Sequence, residues 1–172
     1  MCGIVAIIGK DKASKHVLDG LKKLEYRGYD SSGISYIVNN KISNIKCVGK
    51  LNKLIKKISE TKLDELDQSR IVIGHTRWAT HGKVNIENAH PIMCNKKVAV
   101  VHNGIIENYE QIKEKLFLKG RDFQTSTDTE VIPQLIDSFV KSGKTFFESA
   151  KSTLKKIEGA YAFAAIHEDF PE

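Results

Sequence analysis

The sequence has no apolar run approaching the roughly eighteen residues of a membrane-spanning helix, so nothing in it calls for a membrane. Cysteine is sparse and odd in number. Cys2, Cys47 and Cys94 form no Cys-x-x-Cys pair, which argues against a disulfide framework or a structural zinc site and towards the cytosol. The apolar start, Met1-Cys2-Gly3-Ile4-Val5-Ala6-Ile7-Ile8, has no basic region before it and no small-residue cleavage site after it, so it does not read as a signal peptide. There is no repeat, low-complexity segment or linker, and residues 1–172 read as one domain. The order of elements does not alternate strand and helix around phosphate-loop glycines, which weakens a Rossmann or P-loop reading. Six histidines match no HExxH or zinc-finger spacing, and no metal is expected.

Charge excludes less. The 27 Lys and Arg against 21 Asp and Glu give +6. The lysines are spread along helix faces, with no arginine-rich tract and no basic–aromatic interleaving. A solvated surface is the better reading, and nucleic acid is not an expected partner.

What is present suits a globular domain. A chain of 172 residues that is 41% hydrophobic can bury most of its apolar surface without a disulfide or metal. Gly3 to Ile8 reads as a buried strand and Ser14 to Glu25 as a helix with Val17, Leu18, Leu21 and Leu24 on one face. Residues 26–33 read as a loop. Ile34–Val38 and Ile42–Val48 flank Asn39-Asn40-Lys41 as a hairpin. Leu51–Ile58 is expected to be helical and Ile71–Gly74 extended. His75 to Pro91 has no period and reads as the longest loop. Val98–Val101 and Ala160–Ile166 are expected strands, and Asn108–Leu118, Thr129–Phe139 and Phe146–Ile157 expected helices.

Several residues could carry chemistry. Methionine aminopeptidases remove Met1 when the next side chain is small. That would leave Cys2 with a free α-amine, which titrates at roughly 7.7–8.0 and can act as a general base beside the thiol. Position alone favours a small residue opening a buried strand. In His75-Thr76-Arg77-Trp78-Ala79-Thr80-His81-Gly82, Arg77 could grip a carboxylate bidentately. Thr80 and His81 could add hydrogen bonds, Trp78 could exclude water and Gly82 could hinge a lid; a self-capped polar loop fits as well. Asn103-Gly104 reads first as a turn, and alternatively as an amide and an adjacent backbone N–H that converge on an oxyanion. Thr127 or Asp128 could cap a helix, or Asp128 could hold a substrate ammonium. Cys47 and Cys94 are expected to pack in the interior.

Taken together the blocks are specific. Met1 to Val5, Leu24 to Ser31, His75 to Gly82, Val101 to Asn108 and Thr127 to Glu130 resemble class II glutamine amidotransferases, which are N-terminal-nucleophile (Ntn) hydrolases. Within them, the blocks look like the glutaminase domain of the glutamine–fructose-6-phosphate aminotransferase (isomerizing) family. The resemblance covers essentially the whole chain. It implies an α+β fold, a four-layer αββα sandwich, and hydrolysis of L-glutamine to glutamate and ammonia. It implies Cys2 as nucleophile with its α-amine as base, and Asn103 and Gly104 as the oxyanion hole. Arg77 would bind the glutamine carboxylate with Thr80 and His81 alongside, and Asp128 the ammonium. Trp78 would belong to the lid, and Arg27 would lie near the N-terminal cysteine. Fructose 6-phosphate would be reached only through a sugar-isomerase domain that this sequence lacks, in an enzyme expected to be homodimeric. Strands of that family's domain would lie beyond Ala160–Ile166, so the sheets are expected to be incomplete at the C-terminal side. The alternative is a fragment that binds glutamine or glutamate without turnover, because Met1 persists or the fold is cut short. No cofactor is implied.

Overall fold

Among the described residues, seven strands form two sheets, and apolar residues on both faces of each find partners. The computed structural model describes residues 2–61, 63–79 and 82–171. The first four strands to form a sheet are β1 (Gly3–Ile8), β2 (Ser31–Val38), β3 (Lys41–Val48) and β4 (Ile71–Arg77), in the order β1-β4-β2-β3. The second sheet is β5 (Ile92–Cys94), β6 (Val98–Gly104) and β7 (Tyr161–His167), in that order. Every pairing is antiparallel.

Side-chain alternation explains the layers. Ile73 on β4 and Ile37 on β2 point inwards, where they meet Ala99 and Val101 of β6 and Ile166 of β7 between the sheets. Val72, Ile34 and Tyr36 point outwards, onto α1 (Ala13–Leu24), α2 (Leu51–Thr61) and α3 (Leu63–Asp67), through Val17, Leu21, Leu54, Ile58 and Leu66. Val98 and Val100 of β6 point to the opposite outside, onto α4 (Tyr109–Phe117), α5 (Val131–Lys141) and α6 (Phe146–Leu154), through Ile112, Ile132 and Ile136. The result is helix, sheet, sheet, helix: the αββα sandwich the resemblance implies. Gly74 lets α1 lie close on β4, because a Cβ there would come within 2.6 Å of Val17 and 2.9 Å of Leu21. No described helix is long and apolar enough to cross a membrane.

The structure corrects several boundaries. β2 starts at Ser31, so the expected loop 26–33 ends earlier. Ser31, Ser32 and Gly33 pair with Arg77, Thr76 and His75 and are buried, although their composition suggests a loop. The expected loop from His75 is strand as far as Arg77. The hairpin closes on Asn39 and Asn40 alone, both at positive φ as a two-residue primed turn requires, and Lys41 is already in β3. α5 is preceded by a 3-10 turn at Asp128–Glu130, and α6 stops at Leu154. β5 and α3 are too short to have shown a period in the sequence. Cys94 is buried, and desolvation pushes its thiol up to about 12. Cys47, expected inside, is only half-buried, 3.4 Å from the Ser32 hydroxyl.

Candidate active site

The alternation that builds the core also delivers polar groups to one end of it. Along β4 the inward positions run Ile73, His75, Arg77; along β6 they run Ala99, Val101, Asn103. Beyond the last apolar pair, polar side chains from both sheets meet at a cavity of about 500 Å³. Cys2, Arg27, Arg77, Trp78, Asn103, Gly104 and Asp128 all line it. Thr80 and His81 lie outside the described residues.

Cys2 enters from the start of β1. Its Sγ accepts the Trp78 backbone N–H at 3.2 Å and lies 3.4 Å from the Trp78 carbonyl. The side chain is neither fully exposed nor buried. Trp78 follows the end of β4, and its ring meets Tyr29 edge-on at 5.2 Å while staying 45% exposed. The next backbone N–H, of Ala79, donates to the Asp30 carboxylate, and Asp30 N–H donates to the Arg77 carbonyl at 3.1 Å. Asp30 thus fixes the segment that presents Trp78 to the thiol.

Asn103 and Gly104 are the last residues of β6, paired with Ala162 and Tyr161. The Asn-Gly turn reading is therefore overturned: the pair ends a strand. Asn103 Nδ2 donates to the Cys2 carbonyl at 3.1 Å. Ile105 N–H donates to the Ala160 carbonyl at 3.1 Å, which makes Gly104–Tyr161 the non-hydrogen-bonded pair of the ladder. Gly104 N–H therefore faces away from β7, on a side where the pairing of β5 reaches only Val100. Gly104 sits at φ +127°, and a Cβ there would collide with the Ala160 carbonyl, so only glycine fits.

Arg77 is buried at 3% exposure and donates to the Lys83 carbonyl at 3.4 Å. Asp128 is also buried, at 5%. It is not a helix cap: its Oδ2 accepts the Ile106 N–H at 2.8 Å, tying the start of the 3-10 turn to the segment after β6. Thr127 holds the N-cap position without a capping side-chain bond; its hydroxyl lies 2.9 Å from that of Thr125. A buried cation and a buried anion on the wall of one cavity suit a zwitterion, and the thiol and N–H donors suit a carbonyl group.

His90, His102 and Thr129 line the same cavity, and with His75 they form a cluster that the sequence reading did not single out. His75 and His90 stack at 4.4 Å. The Thr129 hydroxyl lies 3.0 Å from His90 Nε2 and 2.8 Å from His102 Nδ1, bridging the two rings. Burial lowers all three imidazoles: His75 to about 4, His90 well below its ordinary value, and His102 against the pull of Asp128. Lys46 was likewise not singled out. Burial lowers its ammonium to about 8 as it donates to the Glu87 carbonyl at 3.0 Å. Extending the Ile71–Gly74 strand by three residues would have put His75 and Arg77 on one face.

Comparison with known proteins adds the family. The sequence profile described as glutamine amidotransferase domain matches residues 75–171, more than half of the chain. The chain belongs to that family. This glutamine amidotransferase domain is 46% identical to the glutamine–fructose-6-phosphate aminotransferase [isomerizing] of Methanococcus maripaludis, over all of the chain and 29% of that protein. It is 45% identical to the protein of the same name from Pyrococcus horikoshii, over all of the chain and 28% of the relative. The chain therefore spans less than a third of the length of these relatives. Among solved structures it resembles the glutamine phosphoribosylpyrophosphate amidotransferase of B. subtilis complexed with ADP and GMP. The TM-score is 0.80 with 31% identity, over 98% of the chain and 35% of that protein. The family and this likeness agree with the Ntn-hydrolase sandwich.

Proposed function

We propose that this domain hydrolyses the side-chain amide of L-glutamine with Cys2 as nucleophile. The observation that carries the reading is the meeting of the Cys2 sulfur with the Trp78 N–H at 3.2 Å in the cavity that Asn103, Gly104, Arg77 and Asp128 also line. Arg77 takes the α-carboxylate of glutamine and Asp128 its α-ammonium, which leaves the amide end for Cys2. Thr80, His81 and Arg27 complete the contacts, and Trp78 closes the site.

With Met1 removed, the Cys2 α-amine accepts the thiol proton as sulfur bonds to the amide carbon. Asn103 Nδ2 and Gly104 N–H stabilise the oxyanion. The C–N bond breaks, the α-ammonium returns its proton and ammonia leaves. Water then hydrolyses the γ-glutamyl thioester, giving glutamate and restoring the thiol. The thiol nucleophile fits a reducing compartment such as the cytosol. In a longer, homodimeric enzyme the ammonia would serve the amination of fructose 6-phosphate in a sugar-isomerase domain.

The test is ammonia release from glutamine by protein whose intact mass shows loss of Met1, with and without fructose 6-phosphate. Turnover only after Met1 loss is expected. Glutamine binding without ammonia release from the processed chain would instead favour the non-catalytic reading.

A further inference from the structure

We propose that His75 is a positioning residue that locks the Asn103 amide in the one orientation that turns its nitrogen towards Cys2. The proposal rests on the reading of Asn103 as an oxyanion donor. A primary amide is nearly symmetric in shape, and a half-turn about its last bond exchanges donor and acceptor. An oxyanion hole built on it works in only one of the two states, so something must hold the flip.

Two contacts do so. His75 Nε2 lies 2.9 Å from Asn103 Oδ1 and 3.1 Å from the His102 carbonyl. The carbonyl can only accept, so Nε2 carries the proton and donates to both oxygens. Asn103 Nδ2 in turn donates to the Cys2 carbonyl at 3.1 Å. A flipped amide would set N–H against N–H at His75 and oxygen against oxygen at Cys2. The correct flip leaves the second Nδ2 hydrogen for the substrate.

The tautomer is held by the surroundings. His75 Nδ1 is buried with no hydrogen-bond partner among the described residues, so it keeps a lone pair and no proton. Charging the ring would place a cation beside Arg77, against the stacked His90 ring and next to His102, in a site with no exposure to water. His75 is therefore a neutral, fixed donor at the back of the hole, out of reach of the reacting atoms.

The test uses near-isosteric variants. His75→Gln keeps an N–H donor at about the height of Nε2; His75→Met fills similar space with none. His75→Met should lower kcat roughly tenfold or more, bounded by the 10²–10³ that loss of one oxyanion donor costs, with the glutamine KM within about twofold. His75→Gln should restore the greater part of kcat. In an Asn103→Ala background the two variants should have equal kcat, because the residue they act through is gone. Equal losses in His75→Gln and His75→Met, or a full further loss on top of Asn103→Ala, would overturn the positioning role. A full-activity Asn103→Ala protein would instead overturn the reading of Asn103. The unmodified protein gives an independent check should either variant fail to fold. Histidine 15N shifts should show His75 protonated at Nε2 and bare at Nδ1 from pH 7 to pH 5, and an Nδ1–H or charged ring would refute the lock.

Discussion

The side-chain amide of Asn103 donates to the main-chain carbonyl of Cys2 at 3.1 Å, across 101 positions of sequence and between the two sheets. The contact joins the end of β6 to the start of β1, so the proposed oxyanion donor and the proposed nucleophile share one frame. Asn103→Ala is expected to lower kcat by about 10²–10³ with little change in KM, since the lost bond strengthens only as the oxyanion forms. Asn103→Asp preserves the shape and is expected to do at least as badly. It sets a carboxylate against the Cys2 carbonyl and the developing oxyanion. Steady-state kinetics on both variants decide: an aspartate as active as asparagine would remove the donor role.

Cys2→Ala should abolish ammonia release and leave glutamine binding largely intact. In the proposed mechanism the sulfur supplies the bond-forming atom, whereas Arg77 and Asp128 supply the head-group contacts. Calorimetric binding and an ammonia assay on the same protein separate the two effects. Substantial turnover by Cys2→Ala would refute the Ntn mechanism.

Arg77→Lys should not behave as a conservative change. Lysine keeps the charge but loses the planar fork, so glutamine affinity should weaken by roughly 1–3 kcal/mol, the worth of hydrogen bonds to a charged group. A glutamine Kd within twofold of the parent would mean that Arg77 does not hold the carboxylate.

Much of this was legible in the sequence, and the gaps have physical causes. Apolar period and turn chemistry marked β1, α1 and the β2–β3 hairpin, because each buries a regular face or needs positive φ at Asn39 and Asn40. The ends of β4 and β6 were lost because strand character there is carried by polar residues. His75 and Arg77 continue the inward row of Ile73, and Asn103 that of Val101, with polar side chains where the core rows are apolar. Ser31-Ser32-Gly33 reads as a loop because a Cβ at Gly33 would come within 2.3 Å of the His90 carbonyl oxygen, and a glycine after two serines carries no strand signal. The resemblance supplies the candidate site residues, but not how Asp128 is held. Its bond to Ile106 N–H depends on tertiary packing that no local pattern encodes.

The buried imidazoles make an acid-stability forecast of definite sign. His75 and His90 are buried, and desolvation lowers both below the ordinary imidazole value of 6.5, His75 to about 4. As pH falls through about 6.5, the unfolded chain takes up these protons while the folded protein does not. Stability is thus fully present above the unfolded value and is lost as pH falls towards the folded value. Each such histidine contributes a slope of up to about 1.4 kcal/mol per pH unit in that window. Asp137, Glu148 and Asp169 are held below their ordinary carboxylate values, so their contributions are lost at more acid pH. Urea midpoints measured from pH 7 to pH 5 should therefore fall chiefly because of the histidines. His90→Gln, which keeps a polar group near Thr129 but cannot titrate, should show a shallower fall than the parent even if its stability at pH 7 is lower. A parent midpoint that stays flat over this range would mean that the imidazoles are hydrated or already charged in the folded state.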